Sequence, residues 1–306
     1  MSKSSSSLSS SSSSLSCSPS SSLFSIESSS SLSLFTTESS ESQEYKELNE
    51  NIKKIKNILY ENDLITLLNE NITDWRIERF LIKNNFNHLD ALNDIIKTYK
   101  WRQEWNVYNL KKEQFCVEFY EFAGIDVMER HSQTNELVVW MTSRYSSTGN
   151  DCLENEIKHF LHYQLDYLEQ NSGKDGIILV IDCKHFNRSS VNLNLCKHTL
   201  ETISEHYPLL FRSVIIINLG IVWRSLVSFV MNWLSKDIQN IVQIIHFKHL
   251  QQTLTPDLIY HYYGGTRSYQ LSIPTDKTFE QFCWFKALTE IEKNHIFSIL
   301  CNISKN

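Results

Sequence analysis

The spacing of apolar residues divides the chain into a helical part and a mixed part. Between residues 47 and 122 apolar positions recur every three or four residues, and neither proline nor glycine interrupts them. Such a stretch predicts several amphipathic helices. Thr73 or Asp74 is expected to cap one of these helices, and His88 to begin the next. We therefore predict an N-terminal helical bundle.

From Glu136 onward, short apolar runs rich in β-branched residues alternate with helical patterns. The runs cover residues 137–141, 177–181, 214–217 and 241–245. The helical patterns between them cover about 154–170, 193–205 and 222–234. Continuous apolar strands separated by helices are typical of a mainly parallel sheet that helices cover. The predicted fold class is therefore α/β, a mainly parallel sheet with flanking helices and the N-terminal helical bundle.

The apolar stretch 209–234 is long enough to be mistaken for a membrane span. Polar residues interrupt it at Arg212, Asn218, Arg224 and Asn232. An arginine near the centre of a span costs about 2.5 to 3.5 kcal/mol on insertion scales. We interpret the stretch as a buried strand followed by an amphipathic helix.

The helix predicted over residues 222–234 is the most informative segment of the chain. At about 100° per residue its apolar side chains fall in one broad arc, opposite its polar ones. The apolar set is Val222, Trp223, Leu226, Val227, Phe229, Val230, Trp233 and Leu234. Two interpretations stay open. The helix either packs on the sheet as an ordinary crossover or forms a mobile lid over a lipid pocket that also touches a membrane.

Composition places further limits on the function. Residues 1–45 are rich in serine and have no apolar periodicity, so we predict that they are disordered. They contain no apolar run of the length that a signal peptide needs. The seven cysteines are odd in number and form no CxxC pair, which suits reduced thiols in the cytoplasm. The net charge of −6 argues against nucleic acid as a partner.

Motifs for catalysis and for metal binding are missing from the sequence. It contains no GxGxxG, no GxxxxGK[ST] and no GxSxG motif. His159 and His162 lie three residues apart, as do His246 and His249, but neither pair has an acidic or cysteine partner at ligand spacing. We therefore predict no catalytic residues, no metal site and no cofactor apart from a bound lipid.

Several segments resemble CRAL-TRIO lipid-binding domains. His206-Tyr207-Pro208, the strand SVIIINL, the helix 222–234, the strand IVQIIHF and the closing LTPDLIYHYYGGT stand in the order of that family. Upstream, WRIERFLIKNNFNHLDALNDIIKTYKWRQEW resembles the helical N-terminal portion of the same family. The resemblance covers about residues 64–266 and is strongest to the CRAL-TRIO portion of motile-sperm-domain-containing proteins.

Together with the patterns above, the resemblance predicts the domain organisation. A disordered segment at 1–45 precedes a helical portion at 46–112, a CRAL-TRIO lipid-binding domain at 113–268 and a C-terminal tail at 269–306, which is expected to be helical. The family implies an apolar pocket that is lined by the sheet and closed by the helix 222–234. The expected pocket and lid residues are Trp140, Ile181, Tyr207, Ile217, Val222, Trp223, Leu226, Val227, Phe229, Val230, Trp233, Leu234 and Ile245.

One departure from the family bears on the ligand. Members that exchange phosphoinositides place Glu directly after the Tyr-Pro pair and Lys just before the strand that follows the lid helix. Leu209 and Asn240 stand at these positions here. A phosphoinositide headgroup would therefore lose charge-assisted partners, and a less polar lipid is expected.

The leading hypothesis is non-catalytic binding of a hydrophobic lipid in the cytoplasm, with transfer through transient contact with a membrane surface. The first alternative is a protein-interaction or regulatory module whose pocket is filled by its own side chains. The second is an α/β hydrolase. Protein partners are not indicated by any pattern in the sequence.

Overall fold

The computed structural model describes residues 32–61, 72–131, 133–142, 153–184, 192–234 and 236–303. It divides the chain into two compact units, residues 1–47 and residues 48–306. The described part of the first unit is the beginning of helix α1 (Leu32–Glu61), which continues into the second unit.

Helix α1 begins inside the segment for which the sequence predicts disorder. Residues 1–31 lie outside the described residues, residues 32–45 are helical, and the disorder of residues 1–45 stays a prediction. The stretch from Glu38 to Glu61 is rich in glutamate and lysine, which are good helix formers. Because helix propagation costs less than nucleation, such a stretch extends the helix toward its serine-rich end.

The helical bundle follows the predicted boundaries. Helix α2 (Asp74–Lys83) has Thr73 at its N-cap, and helix α3 (His88–Glu104) has Asn87 there. The Asn87 side chain accepts hydrogen bonds from the backbone amides of Leu89 and Asp90, which satisfies two donors of the first turn. The predicted start of the third helix at His88 is confirmed.

The core of the bundle consists of the apolar residues that recur at helical spacing. Its buried members are Ile52, Ile55, Leu59, Ile72, Ile77, Phe80, Leu81, Ala91, Leu92, Ile95 and Tyr99.

Five strands form one sheet in the order β1-β2-β3-β4-β5. The strands are β1 (Ile125–Arg130), β2 (Leu137–Thr142), β3 (Ile177–Asp182), β4 (Phe211–Ile217) and β5 (Val242–Ile244). Strand β1 pairs antiparallel with β2, and the other neighbours are parallel. The predicted mainly parallel sheet is confirmed. Strand β1 was not predicted because its sequence, IDVMER, mixes polar and apolar residues instead of forming an apolar run.

Helices connect the parallel strands, as the pattern predicts. Helix α4 (Val117–Ala123) precedes the sheet, α5 (Glu154–Ser172) connects β2 to β3, and α6 (Leu193–His206) connects β3 to β4. Two helices, α7 (Ile221–Met231) and α8 (Lys236–Ile241), connect β4 to β5. The tail after residue 268 contains α9 (Cys283–Lys286) and α10 (Glu290–Ile303). The apolar stretch 209–234 therefore divides into a strand and a helix, as predicted.

The two faces of the sheet are covered differently. We call the side that carries Trp140 the packed face and the side that carries Val139 the helix face, because neighbouring residues of a strand point to opposite sides. The packed face is covered by the segment 247–263, which winds through three short 3₁₀ turns. The helix face is covered by α5 and α6, whose residues Leu165, Leu168 and Ile203 reach the sheet.

A buried charge network joins the helical bundle to α5. Arg102 of α3 donates to Asp166 at 2.5 Å and to Glu169 at 2.9 Å. Arg76 of α2 also pairs with Glu169 at 2.9 Å. Because buried charges are tolerated only when they are paired, these contacts hold the bundle against the α/β part in one position.

Candidate functional site

A row of apolar side chains crosses the helix face near the carboxyl ends of the strands. The strand register pairs Met141 with Ile181, Ile181 with Ile216, and Ile216 with Ile244. We call these four residues the apolar floor. Ile216 is 8% exposed and Ile244 is 42% exposed, while Met141 and Ile181 are half-buried. The floor is therefore apolar but incompletely covered by the described residues.

The helices cover the helix face less completely toward the carboxyl ends of the strands. One pleat closer to the amino ends, the register places Val139, Leu179, Val214 and Val242 in a row. Val139 is fully buried there and belongs to the cluster that α5 and α6 complete. The helix face is thus a closed core near the amino ends of the strands and a partly open apolar surface near their carboxyl ends.

Helix α7 starts at the same carboxyl edge, because β4 ends at Ile217 and the helix begins at Ile221. None of its described side chains is buried. Ile221 is 87% exposed and Phe229 is 51% exposed. Trp223, Leu226, Val227 and Val230 are half-buried, and the side chain of Val222 lies outside the described residues.

The helix is shorter than the sequence predicts. It ends at Met231, so Trp233 and Leu234 lie in the turn that follows. Trp233 still contacts Phe229, with ring centroids 5.2 Å apart. The side-chain amide of Gln239 donates to the carbonyls of Met231 at 3.0 Å and Leu234 at 2.9 Å. These bonds satisfy carbonyls that the end of a helix leaves free, which explains the early end.

The exposed apolar surface of α7 is energetically significant. Full burial of a Val, Leu, Ile or Phe side chain contributes about 1.5 to 3 kcal/mol relative to exposure. An ordinary crossover helix obtains this contribution by packing on its sheet. Because Ile221 and Phe229 are exposed, these two side chains keep a large part of that contribution for a ligand or for another apolar surface.

Three predicted pocket residues lie on the packed face instead of the floor. Trp140 and Ile217 are buried in its core, and Ile245 packs against them. The indole Nε1 of Trp140 donates to the carbonyl of Leu258 at 3.0 Å, and its ring lies 4.7 Å from that of Tyr260. Since strand residues alternate between faces, Trp140 cannot share a surface with its neighbour Met141.

Tyr207 is separated from α7 as well. It is fully buried in the closed part of the helix face, between the end of α6 and the amino end of β4. The guanidinium of Arg102 lies 5.2 Å from its ring centroid. Burial raises the pKa of the Tyr207 hydroxyl. Its surroundings are those of a core residue that contacts the helical bundle.

The structure therefore brings together a smaller set than the predicted one. Ile181 belongs to the apolar floor, and the α7 residues follow at the same edge of the sheet. Met141, Ile216 and Ile244 of the floor were not predicted. Their signal in the sequence is the two-residue alternation within each run, but the side of the sheet that stays open cannot be read from one strand.

A network of side-chain hydrogen bonds lies at the carboxyl end of β3. Asp182 accepts a hydrogen bond from the Tyr263 hydroxyl at 2.6 Å and from the Asn218 amide at 2.8 Å. Tyr263 belongs to the segment that covers the packed face, and Gly265 is two residues further along the chain. A Cβ at Gly265 would lie 1.9 Å from the carbonyl oxygen of Ile259, so only glycine fits there. These contacts anchor the closing segment, residues 247–265, on the packed face, whereas the floor lies on the helix face.

Comparison with known proteins identifies the domain. Residues 126–265 match the model of the CRAL/TRIO domain family. The chain carries a CRAL/TRIO domain. The match contains the sheet, α5 to α8 and the closing segment up to Gly265. This family suggests binding and transfer of a lipid or another small hydrophobic ligand.

A solved structure supports the CRAL/TRIO fold. The crystal structure of Sfh5 superposes with a TM-score of 0.52 and 17% sequence identity, over 64% of this chain and 72% of the Sfh5 chain. No curated protein matches the sequence significantly. Within the part of the chain that the structure describes, no helix is both long enough and apolar enough to span a membrane.

Proposed function

We propose that this CRAL/TRIO protein binds one hydrophobic lipid between the apolar floor and α7, without catalysis, and transfers it between membrane surfaces in the cytoplasm. The observation that carries this proposal is the shared position of two incompletely covered apolar surfaces. The floor and the start of α7 lie at the same carboxyl edge of the sheet, and both expose side chains that an ordinary core would bury.

The energetics favour a carrier of this kind. Moving one methylene group from water to an apolar surface contributes about 0.8 kcal/mol, so a chain of about 16 carbons contributes on the order of 13 kcal/mol. A free lipid therefore crosses water very slowly without a protein. Opening of α7 would admit the lipid, and its exposed aromatic residues Phe229 and Trp233 suit contact with a membrane interface.

The composition of the floor favours a ligand with a small or weakly charged headgroup. Met141, Ile181, Ile216 and Ile244 offer neither hydrogen bonds nor charge through their side chains. Leu209 and Asn240 stand where phosphoinositide-exchanging relatives have Glu and Lys. Neutral lipids and single-chain lipids are the first candidates.

Mass spectrometry of lipids extracted from natively purified protein tests the proposal. We expect one lipid class at about one molecule per chain. The variant Ile181→Trp should lose it, because the larger indole would occupy part of the proposed lipid site. Ile291→Trp is the matched control, since Ile291 lies on α10 and is 83% exposed. Absence of lipid from the unmodified protein, with a melting temperature that no member of a lipid panel raises, would contradict the proposal.

A second candidate function is supported by the packed face. There the sheet is filled by the protein's own Trp140, Tyr260 and Tyr263, as in an interaction module that has no ligand. In that case α7 would dock on a protein partner. The same mass spectrometry experiment separates the two functions, because the interaction module would be isolated without lipid.

A further inference from the structure

A cavity lies at the opposite edge of the sheet from the apolar floor, and its walls carry positive charge. It has a volume of about 260 Å³ and is formed by α2, the β1–β2 turn and the loop before β3. The residues that matter below are Trp75, Glu78, Arg79, Lys174, Asp175 and Arg212. Three of these side chains are cationic and two are acidic.

The position of this cavity separates it from the apolar floor. Lys174 and Asp175 precede β3, and Arg212 is the second residue of β4, so all three lie at the amino ends of parallel strands. The floor lies near the carboxyl ends. A strand of six residues spans roughly 20 Å, so the cavity and the floor are separate places on the sheet.

The backbone holds Arg212 across the mouth of the cavity. Its Nε donates to the carbonyl of Asp175 at 3.3 Å, and its Nη2 donates to that of Lys174 at 3.2 Å. Gly176 makes room for the side chain, since a Cβ there would lie 2.9 Å from the Arg212 Cγ. Arg212 is therefore oriented without any carboxylate partner in the described structure.

Arg79 adds a buried positive charge to the lining of the cavity. Its side chain is 3% exposed, and its Nη2 donates to the carbonyl of Gly173 at 2.5 Å. Its Nε has no hydrogen-bond partner among the described residues, and its Nη1 lies 3.7 Å from Glu169. Burial, opposed by the charge of Glu169 and assisted by the charges of Arg212 and Arg76, lowers the pKa of the Arg79 guanidinium to about 10. The group stays charged at neutral pH.

The nearby carboxylates are largely engaged with other cations. Asp175 accepts hydrogen bonds from Arg130 at 3.2 Å and from Asn135 at 2.6 Å. Glu169 pairs with Arg76 and Arg102 as well as with Arg79. Glu78 is on the wall and offsets part of the charge. Positive charge at the cavity therefore exceeds negative charge.

We infer that this cavity binds a phosphate monoester, with its phosphate at Lys174 and Arg212 and its organic group against Trp75. Arginine and lysine donors suit phosphate oxygens, and the indole offers an apolar surface for the attached group. The buried positive charge of Arg79 strengthens the attraction between the cavity and the phosphate. This inference does not depend on the lipid bound at the floor.

Calorimetric titration of the full chain tests the inference. Inorganic phosphate and glycerol 3-phosphate serve as free anions, and phosphatidylcholine vesicles with or without phosphatidic acid serve as lipid sources. The variant Lys174→Glu changes an exposed residue whose side chain makes no hydrogen bond in the described structure, and Lys286→Glu on α9 is its charge-matched control. We expect both free anions to bind, about tenfold or more weakly in Lys174→Glu, and unchanged in the control.

The outcomes separate the sources of the phosphate. Binding only to vesicles with phosphatidic acid, lost in Lys174→Glu, would assign the phosphate to a lipid headgroup at the same cavity. Equal binding by the unmodified protein and Lys174→Glu would overturn the inference, as would no binding of free anions or phosphatidic acid. Loss of the lipid from the apolar floor would leave anion binding unchanged, so the two proposals fail independently.

Discussion

Removing exposed apolar side chains from α7 should impair membrane contact without affecting folding. The double variant Ile221→Ser/Phe229→Ser changes residues that are 87% and 51% exposed. Surface substitutions of this kind change stability by about 0.5 kcal/mol or less. The melting temperature should therefore stay close to that of the unmodified protein.

The expected loss at a membrane follows from the same exposures. Full burial contributes about 1.5 to 3 kcal/mol for each side chain, and scaling by the exposed fractions gives about 2 to 4 kcal/mol for the pair. At about 1.4 kcal/mol per factor of ten, vesicle binding should weaken between about 30-fold and about a thousandfold. Lipid transfer should slow in parallel, because loading and release occur at the membrane.

Fluorescence transfer between two vesicle populations and vesicle flotation measure this effect. The single variants Ile221→Ser and Ile291→Ser form a matched pair, since Ile221 and Ile291 are 87% and 83% exposed but lie on different helices. We expect only the α7 variant to impair binding and transfer. Equal behaviour of the two variants would refute the assignment of α7 as the membrane-contacting lid.

Three further predictions concern stability. Trp140→Phe should cost about 1 to 3 kcal/mol, because it leaves the buried Leu258 carbonyl without its donor; urea unfolding measures it. Arg102→Ala should cost about 3 to 5 kcal/mol, because it leaves buried carboxylates unpaired; the same assay applies. Burial lowers the pKa of His162 to about 3 and that of His206 to about 4. Unfolding at pH 7 and pH 5 should therefore show an acid-sensitive fold, since the unfolded chain binds more protons below pH 6.5.

The sign and size of the pH effect follow from linkage. A histidine with a depressed pKa contributes its full stability above pH 6.5 and loses it as the pH falls toward the folded value. Each residue should cost about 2 kcal/mol at pH 5. His162→Gln should reduce the difference between the two pH values by about 2 kcal/mol. An unchanged difference would show that other groups cause the acid sensitivity.

Exposed counterparts provide controls for the other two variants. Trp233→Phe changes an indole that is 40% exposed, and its cost should be within about 0.5 kcal/mol. Lys97→Ala removes a surface ion pair with Glu205 at 2.8 Å, which is expected to contribute less than about 1 kcal/mol. A Trp140→Phe or Arg102→Ala variant as stable as its control would contradict the corresponding packing argument.

Periodicity alone predicted the elements that carry a strong pattern. The apolar runs at 137–141 and 177–181 became β2 and β3, and His88 begins α3. These predictions succeeded because local spacing and capping reflect backbone geometry directly. Strand β1 was missed because an antiparallel edge strand alternates polar and apolar residues over a short length.

The binding surface was only partly predictable. The sequence by itself determined that α7 is amphipathic and that the strands are apolar on both sides. The pocket and its lid were expected from the resemblance to the CRAL-TRIO family. Only the tertiary structure decided which face of the sheet is filled by residues 247–263 and which is left partly open by α5 and α6. That choice separates Trp140 from Met141, its neighbour in the chain. The reason is physical: alternation assigns residues to two faces, but the segments that cover each face come from distant parts of the chain.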